Sequence, residues 1–157
     1  MESLYDKTTM QQLYHRLMRT ALLEVVAGSV EWVAKHGIPT DSKGIHVTFD
    51  PYAKDVVVPD YLKEQFPEGM SVILQHQYGD LKCDKDRFAV TLIFDSNPTR
   101  IIIPWESVTG YADEASEFAI DMIEYSNEDN EDNEVPTHKD NVVKLFPKGN
   151  DQNGDDA

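Results

Sequence analysis

The chain has 157 residues, 40% of them hydrophobic, with one cysteine and a net charge of −15, long enough for one domain with a core of its own. The lone Cys83 excludes an internal disulfide and a multi-cysteine zinc site and suits a reducing compartment. The acidic field repels phosphate backbones and anionic membrane surfaces, so nucleic-acid binding starts disfavoured. The opening MESLYDKTTM has neither the basic start nor the apolar core of a signal peptide, and no apolar run approaches the roughly 20 residues that span a bilayer, which points to a soluble cytoplasmic protein.

Taken in chain order, Thr8 and Thr9 offer N-cap hydroxyls. The proline-free stretch that follows runs to His36 and meets Gly37, a natural C-cap, so one long helix is expected. Its apolar residues form two neighbouring stripes, Leu13, Leu17, Ala21 and Val25 on one and Leu22, Val26, Val30 and Val33 on the other. That surface is broader than one sheet face covers, and two readings stay open: part of it buries in a homodimer contact, or all of it packs on the chain's own sheet. Gly28-Ser29 should weaken or bend the helix where the stripes overlap.

Beyond Ile38-Pro39 the pattern turns to strands. Residues 45–49 alternate and stop at Asp50-Pro51; 56–58 is a short strand ending at Pro59; 60–66 suits one or two helical turns. Residues 70–78, 87–94 and 100–103 read as consecutive strands, with 79–86 and 95–99 as turn-rich connections. Phe88, Val90, Leu92 and Phe94 give one strand a heavily apolar face, while Ala89, Thr91 and Ile93 give it a second face able to carry a ligand. A turn follows at 104–107, and Phe118, Ile120 and Met122 mark a last strand. The expected division is a body over 1–125 and a tail over 126–157.

The tail holds nine acidic residues against three lysines, −6 of the total charge, leaving −9 on the body. So charged and apolar-poor a segment does not repay the entropy of ordering, and disorder is expected. One apolar and basic island interrupts it: Val142, Val143, Lys144, Leu145, Phe146, then Pro147 and Lys148. Without a core to join, it either docks back on its own body or offers itself to another protein; the second reading is preferred.

No GxGxxG, Walker loop, GxSxG or HExxH occurs, the five histidines are scattered, and none shares ligand spacing with another histidine or with Cys83. No cofactor, no metal and no enzymatic activity are therefore expected. Asp80, Asp84 and Asp86 crowd one loop but lack the spacing of a calcium loop and read as a solvated turn. The segment Leu74-Gln75-His76-Gln77-Tyr78 stands apart, because amides and an imidazole in an apolar strand cost free energy unless their hydrogen bonds are made. Such side chains suit a groove that reads peptide, or they simply face water.

These residues resemble a known family. VILQHQYGDL at 72–81, FAVTLIFDSNPTRIIIPWESVTGYAD at 88–113, with its Phe-x3-Leu-x-Phe-x3-Pro-x-Arg-x3-Pro frame, and VVK in the island are similar to the alpha-type branch of the stringent starvation protein B (SspB) family. The resemblance implies an α+β, mainly β fold: a long N-terminal helix, which forms a homodimer contact, followed by a small Sm-like β-barrel or sandwich. It implies a non-enzymatic adaptor that holds the ssrA degradation tag and delivers tagged polypeptides to the ClpX unfoldase of ClpXP. Carried over by position, Leu74, Gln75, His76, Gln77 and Tyr78 match the tag groove, with Val90 and Leu92 as its apolar floor, and Gln75 as the principal contact. Val142, Val143, Lys144, Leu145 and Phe146 match the ClpX-docking motif, although in the family that motif lies at or very near the C-terminus and here eleven residues follow Phe146. The alternative is an Sm-like RNA-binding module, which the acidic body disfavours; a hydrolase or isomerase using His76 as base lacks a recognisable nucleophile or oxyanion hole.

Overall fold

The computed structural model describes residues 6–39 and 41–122. The acidic tail and its island, Val142 to Phe146, lie outside the described residues.

Helix α1 (Lys7–His36) is continuous through Gly28. Its cap is Asp6 rather than either threonine: the Asp6 carboxylate accepts the Thr8 and Thr9 backbone N–H groups at 2.9 and 3.1 Å, and the Thr9 hydroxyl donates to its second oxygen. A full negative charge beside the positive helix start outcompetes a neutral hydroxyl. The same bonds, that of the Thr9 hydroxyl foremost, hold the Asp6 carboxyl below its ordinary value. At the far end Gly37 takes φ 75° and donates its N–H to the Val33 carbonyl at 2.8 Å, as the sequence predicts.

The two apolar stripes of α1 part company. Leu22, Val26, Val30 and Val33 are buried, whereas Leu17 and Val25 are exposed and Leu13 is half-buried. Arg19 anchors the helix further, its Nη2 donating to the Glu106 carbonyl at 2.7 Å.

Two antiparallel sheets share one core with α1. The first has the order β2 (Met70–Leu74), β1 (Ile45–Phe49), β6 (Val108–Asp113), β7 (Phe118–Asp121); the second runs β3 (Tyr78–Cys83), β4 (Arg87–Phe94), β5 (Asn97–Pro104). Inward-facing Val47, Phe49, Leu74, Phe88, Val90, Ile101 and Ile103 are all fully buried. A long helix followed by mostly antiparallel sheet is the expected α+β, mainly β arrangement, but the sheets are separate and do not close into a barrel.

Several boundaries depart from the sequence reading. The strand expected over 70–78 ends at Leu74, the last residue paired to β1, and residues 75–77 form a bend that carries the chain from one sheet to the other. Polar side chains suit a corner that water reaches. Residues 79–83, expected within a turn-rich connection, continue from Tyr78 as β3; as an edge strand it tolerates Asp80 and Lys82, both of which are exposed. Strand β6, unanticipated, lies between β1 and β7. A register shift at Thr48/Phe49 places Val108 and Tyr111 inward, three residues apart, so no two-residue alternation marks it in sequence. Residues 56–58 pair only through the bridge Val57↔Ile102, while Val56 and Val58 are buried in the core.

The β4–β5 hairpin turns on two residues, Asp95 and Ser96, at φ 50° and 69°, the positive pair that a two-residue hairpin demands. Helix α2 (Asp60–Gln65) and a short 3₁₀ turn η1 (Trp105–Ser107) complete the body. Asp84 acts as a turn cap: its carboxylate accepts the Asp86 and Arg87 N–H groups at 2.7 and 3.0 Å, and its carbonyl accepts the Trp105 indole at 3.0 Å.

Candidate binding groove

The bend at residues 75–77 lies where β2 and β3 leave their sheets toward the end of α1. Its geometry is set from the preceding loop. Gly44 takes φ 80°, and a Cβ there would lie 2.5 Å from the Leu74 carbonyl oxygen and 2.8 Å from the Gln75 Cβ, so only glycine lets this loop approach so closely. The Ser42 hydroxyl accepts the Gly44 N–H at 3.0 Å, and the Ser42 carbonyl accepts the Gln75 side-chain amide at 3.3 Å. One Gln75 N–H is thereby spent on orientation, which leaves its carbonyl oxygen to accept and its second N–H to donate.

Between this corner and the end of α1 lies an open groove of about 520 Å3, within the range of small-ligand sites. Val33, Ala34, Gly37 and Ile38 form the helix side; Gln75, His76, Tyr78, Gly79, Asp80 and Leu81 form the other. The lining carries one carboxylate, Asp80, and neither lysine nor arginine. An apolar wall opposite an oriented amide can take an apolar side chain while satisfying a neighbouring peptide group.

Of the residues singled out from sequence, the structure brings Gln75, His76 and Tyr78 together on the groove. Gln77 is exposed and is not among the lining residues. Leu74, Val90 and Leu92 are buried in the core, at 0%, 0% and 6% exposure, so they support the corner from within rather than meet a ligand. The helix side and Gly79 to Leu81 were missed. Ile38 carried a usable signal: an apolar residue just past a glycine C-cap commonly folds back on its helix.

Among the described residues no group of three or more His, Cys, Asp or Glu side chains could hold a metal ion, and no helix is long and apolar enough to cross a membrane. Cys83 sits half-buried on β3, paired with Phe88. Burial foremost, then the charges of Glu31 and Asp84, push its thiol from 9.0 up to about 11. At pH 8 such a thiol holds about a hundredfold less thiolate than an ordinary one. Alkylation by iodoacetamide is therefore expected to be about a hundredfold slower in the folded chain than in urea, with the rate still climbing beyond pH 9; equal rates would contradict the burial. Because the folded chain binds this proton more tightly, the associated stability is complete below pH 9 and is lost as pH rises toward 11.

The architecture defines the class: an α+β protein in which a long helix and two sheets frame an open groove lined by an oriented glutamine. Within that class the chain belongs to the stringent starvation protein B (SspB) family, whose family model matches residues 16–157. A comparison with curated proteins finds no match.

Proposed function

We propose that this chain is a homodimeric, non-enzymatic adaptor that holds ssrA-tagged polypeptides in the groove at the end of α1 and delivers them to ClpXP. The observation that carries this reading is the Gln75 side chain, oriented by Ser42 at the rim of a groove whose opposite wall is apolar, in a chain of the SspB family. An extended peptide can seat an apolar side chain against Val33, Ile38 and Leu81 while its backbone exchanges hydrogen bonds with the Gln75 amide. An RNA-binding reading gains no support, since the lining offers no cation to a phosphate. The island from Val142 to Phe146 supplies the contact with ClpX, and a tether raises the cargo's effective concentration at the unfoldase, to about millimolar for short flexible linkers.

Titration of a fluorescent ssrA peptide tests the reading. Wild type should bind, and Gln75→Ala should bind roughly 10- to 100-fold more weakly, the worth of one or two hydrogen bonds in a desolvated groove. A wild type without measurable affinity would sink it. In the same assay removal of residues 142–148 should leave affinity intact while ClpXP degradation of a tagged substrate loses its stimulation.

A further inference from the structure

We infer that Arg100 is a positioning residue of the groove, a clamp that reaches across the outer face of the second sheet and holds the irregular part of β3 that forms one wall. The register supplies the path. Arg100 on β5 lies opposite Thr91 on β4, and Thr91 lies opposite Gly79 on β3. Along that line the Arg100 Nη1 donates to the Asp80 carbonyl at 2.6 Å and to the Thr91 hydroxyl at 3.3 Å, so one side chain links all three strands.

The place it grips is where the sheet itself holds least. Pairing of β3 with β4 shifts between Gly79 and Lys82, and Asp80 takes φ 49°, outside the extended region. Irregularities of this kind re-aim side chains at the cost of regular ladder pairing. Asp80 and Leu81, the two residues inside the break, both line the groove. A short hydrogen bond from a guanidinium is about twice as strong as a neutral one, and here it replaces ladder pairing as the hold on that wall. Arg100 lines no part of the groove and acts only through Asp80. The clamp does not depend on what the groove binds; its bearing on peptide affinity rests on the function proposed above.

Arg100→Met keeps length and removes the donor. Two quantities decide the matter in the full chain: amide hydrogen exchange without ligand and affinity for the fluorescent ssrA peptide. The expected result is exchange about tenfold faster at residues 79–82, unchanged exchange at 88–94, and peptide affinity about tenfold weaker, in line with loss of one charge-assisted bond. Arg100→Lys, which keeps a cation of shorter reach, should recover part of both effects, as a general loss of fold would not. It also serves as the informative variant should Arg100→Met fail to fold, with the same local acceleration expected in milder form. Unchanged exchange at 79–82, acceleration spread evenly over β3, β4 and β5, or faster local exchange with unaltered affinity would each overturn the inference. A wild type that binds no peptide would overturn the proposed function instead, and the exchange pattern would still judge the clamp.

Discussion

Wild type is expected to sediment as a dimer at tens of micromolar and a chain carrying Leu17→Glu and Val25→Glu together as a monomer, its dissociation constant raised by about a thousandfold or more. Tyr14, Leu17, Ala21, Val25, Gly28 and Trp32 follow one another at spacings of three or four along α1, a stripe about 27 Å long. Its large members are exposed by 53% at Tyr14, 52% at Leu17, 41% at Val25 and 64% at Trp32, while the stripe that packs on the sheets is buried. An exposed apolar line of that length along a solvent-facing helix is what a twofold partner would cover. In a twofold pair the same patch meets itself, so each glutamate loses water and also faces like charge, at several kcal/mol per buried ion. Two chains of net charge −15 already repel, which makes the apolar stripe the term that must prevail. Because both positions are exposed within one chain, the variant should fold, with its thermal midpoint close to that of a dissociated wild type. Wild type that is monomeric at tens of micromolar, or a double variant that dimerises as tightly, would refute the pairing.

Gly44→Ala is expected to be the most damaging small substitution at the groove. Its φ of 80° costs an alanine about 1–3 kcal/mol. The new Cβ also meets the Leu74 carbonyl oxygen at 2.5 Å, and a backbone atom held in the β1–β2 pairing cannot swing aside as a flexible side chain would. Together these should remove about 3 kcal/mol and lower the thermal midpoint by roughly 10 °C. Any relaxation must push the corner away from Ser42 and so misdirect the Gln75 amide, and peptide affinity should fall even where the variant is fully folded. Gly79→Ala is the matched control: it lies on the groove, but a Cβ there meets nothing within 4 Å and φ is unexceptional, so its stability should stay within about 0.5 kcal/mol of wild type. A Gly44→Ala protein that melts within about 2 °C of wild type would show that the close approach is relieved without cost.

The parts legible in the sequence are those whose signal is local. Helix α1 announced itself by its length without proline and by Gly37, although its cap went to Asp6 because a carboxylate outbids a hydroxyl at a helix start. Strands β1 and β4 follow their alternation to the residue. The same locality made the polar run around Gln75 conspicuous, and the residues at 72–81 and 88–113 carried the family resemblance that the family model bears out over residues 16–157.

What tertiary structure alone decided is where those signals meet. The run that reads as one strand over 70–78 is cut at Leu74 because pairing with β1 ends there, at the pair with Ile45, and Gly44, 30 residues earlier, packs closely on the Leu74 carbonyl and Gln75. Strand β6 shows no two-residue alternation because a register shift sets its Thr109 between the partners of Thr48 and Phe49, which leaves Val108 and Tyr111 both buried. The groove joins Val33 and Ile38 to Gln75 and Leu81 across some 40 residues of chain, and Arg100 reaches its wall from a third strand. Periodicity and capping depend on a few consecutive residues, so sequence determines them; a cleft is made of contacts between distant segments, and only the folded packing brings its two sides together.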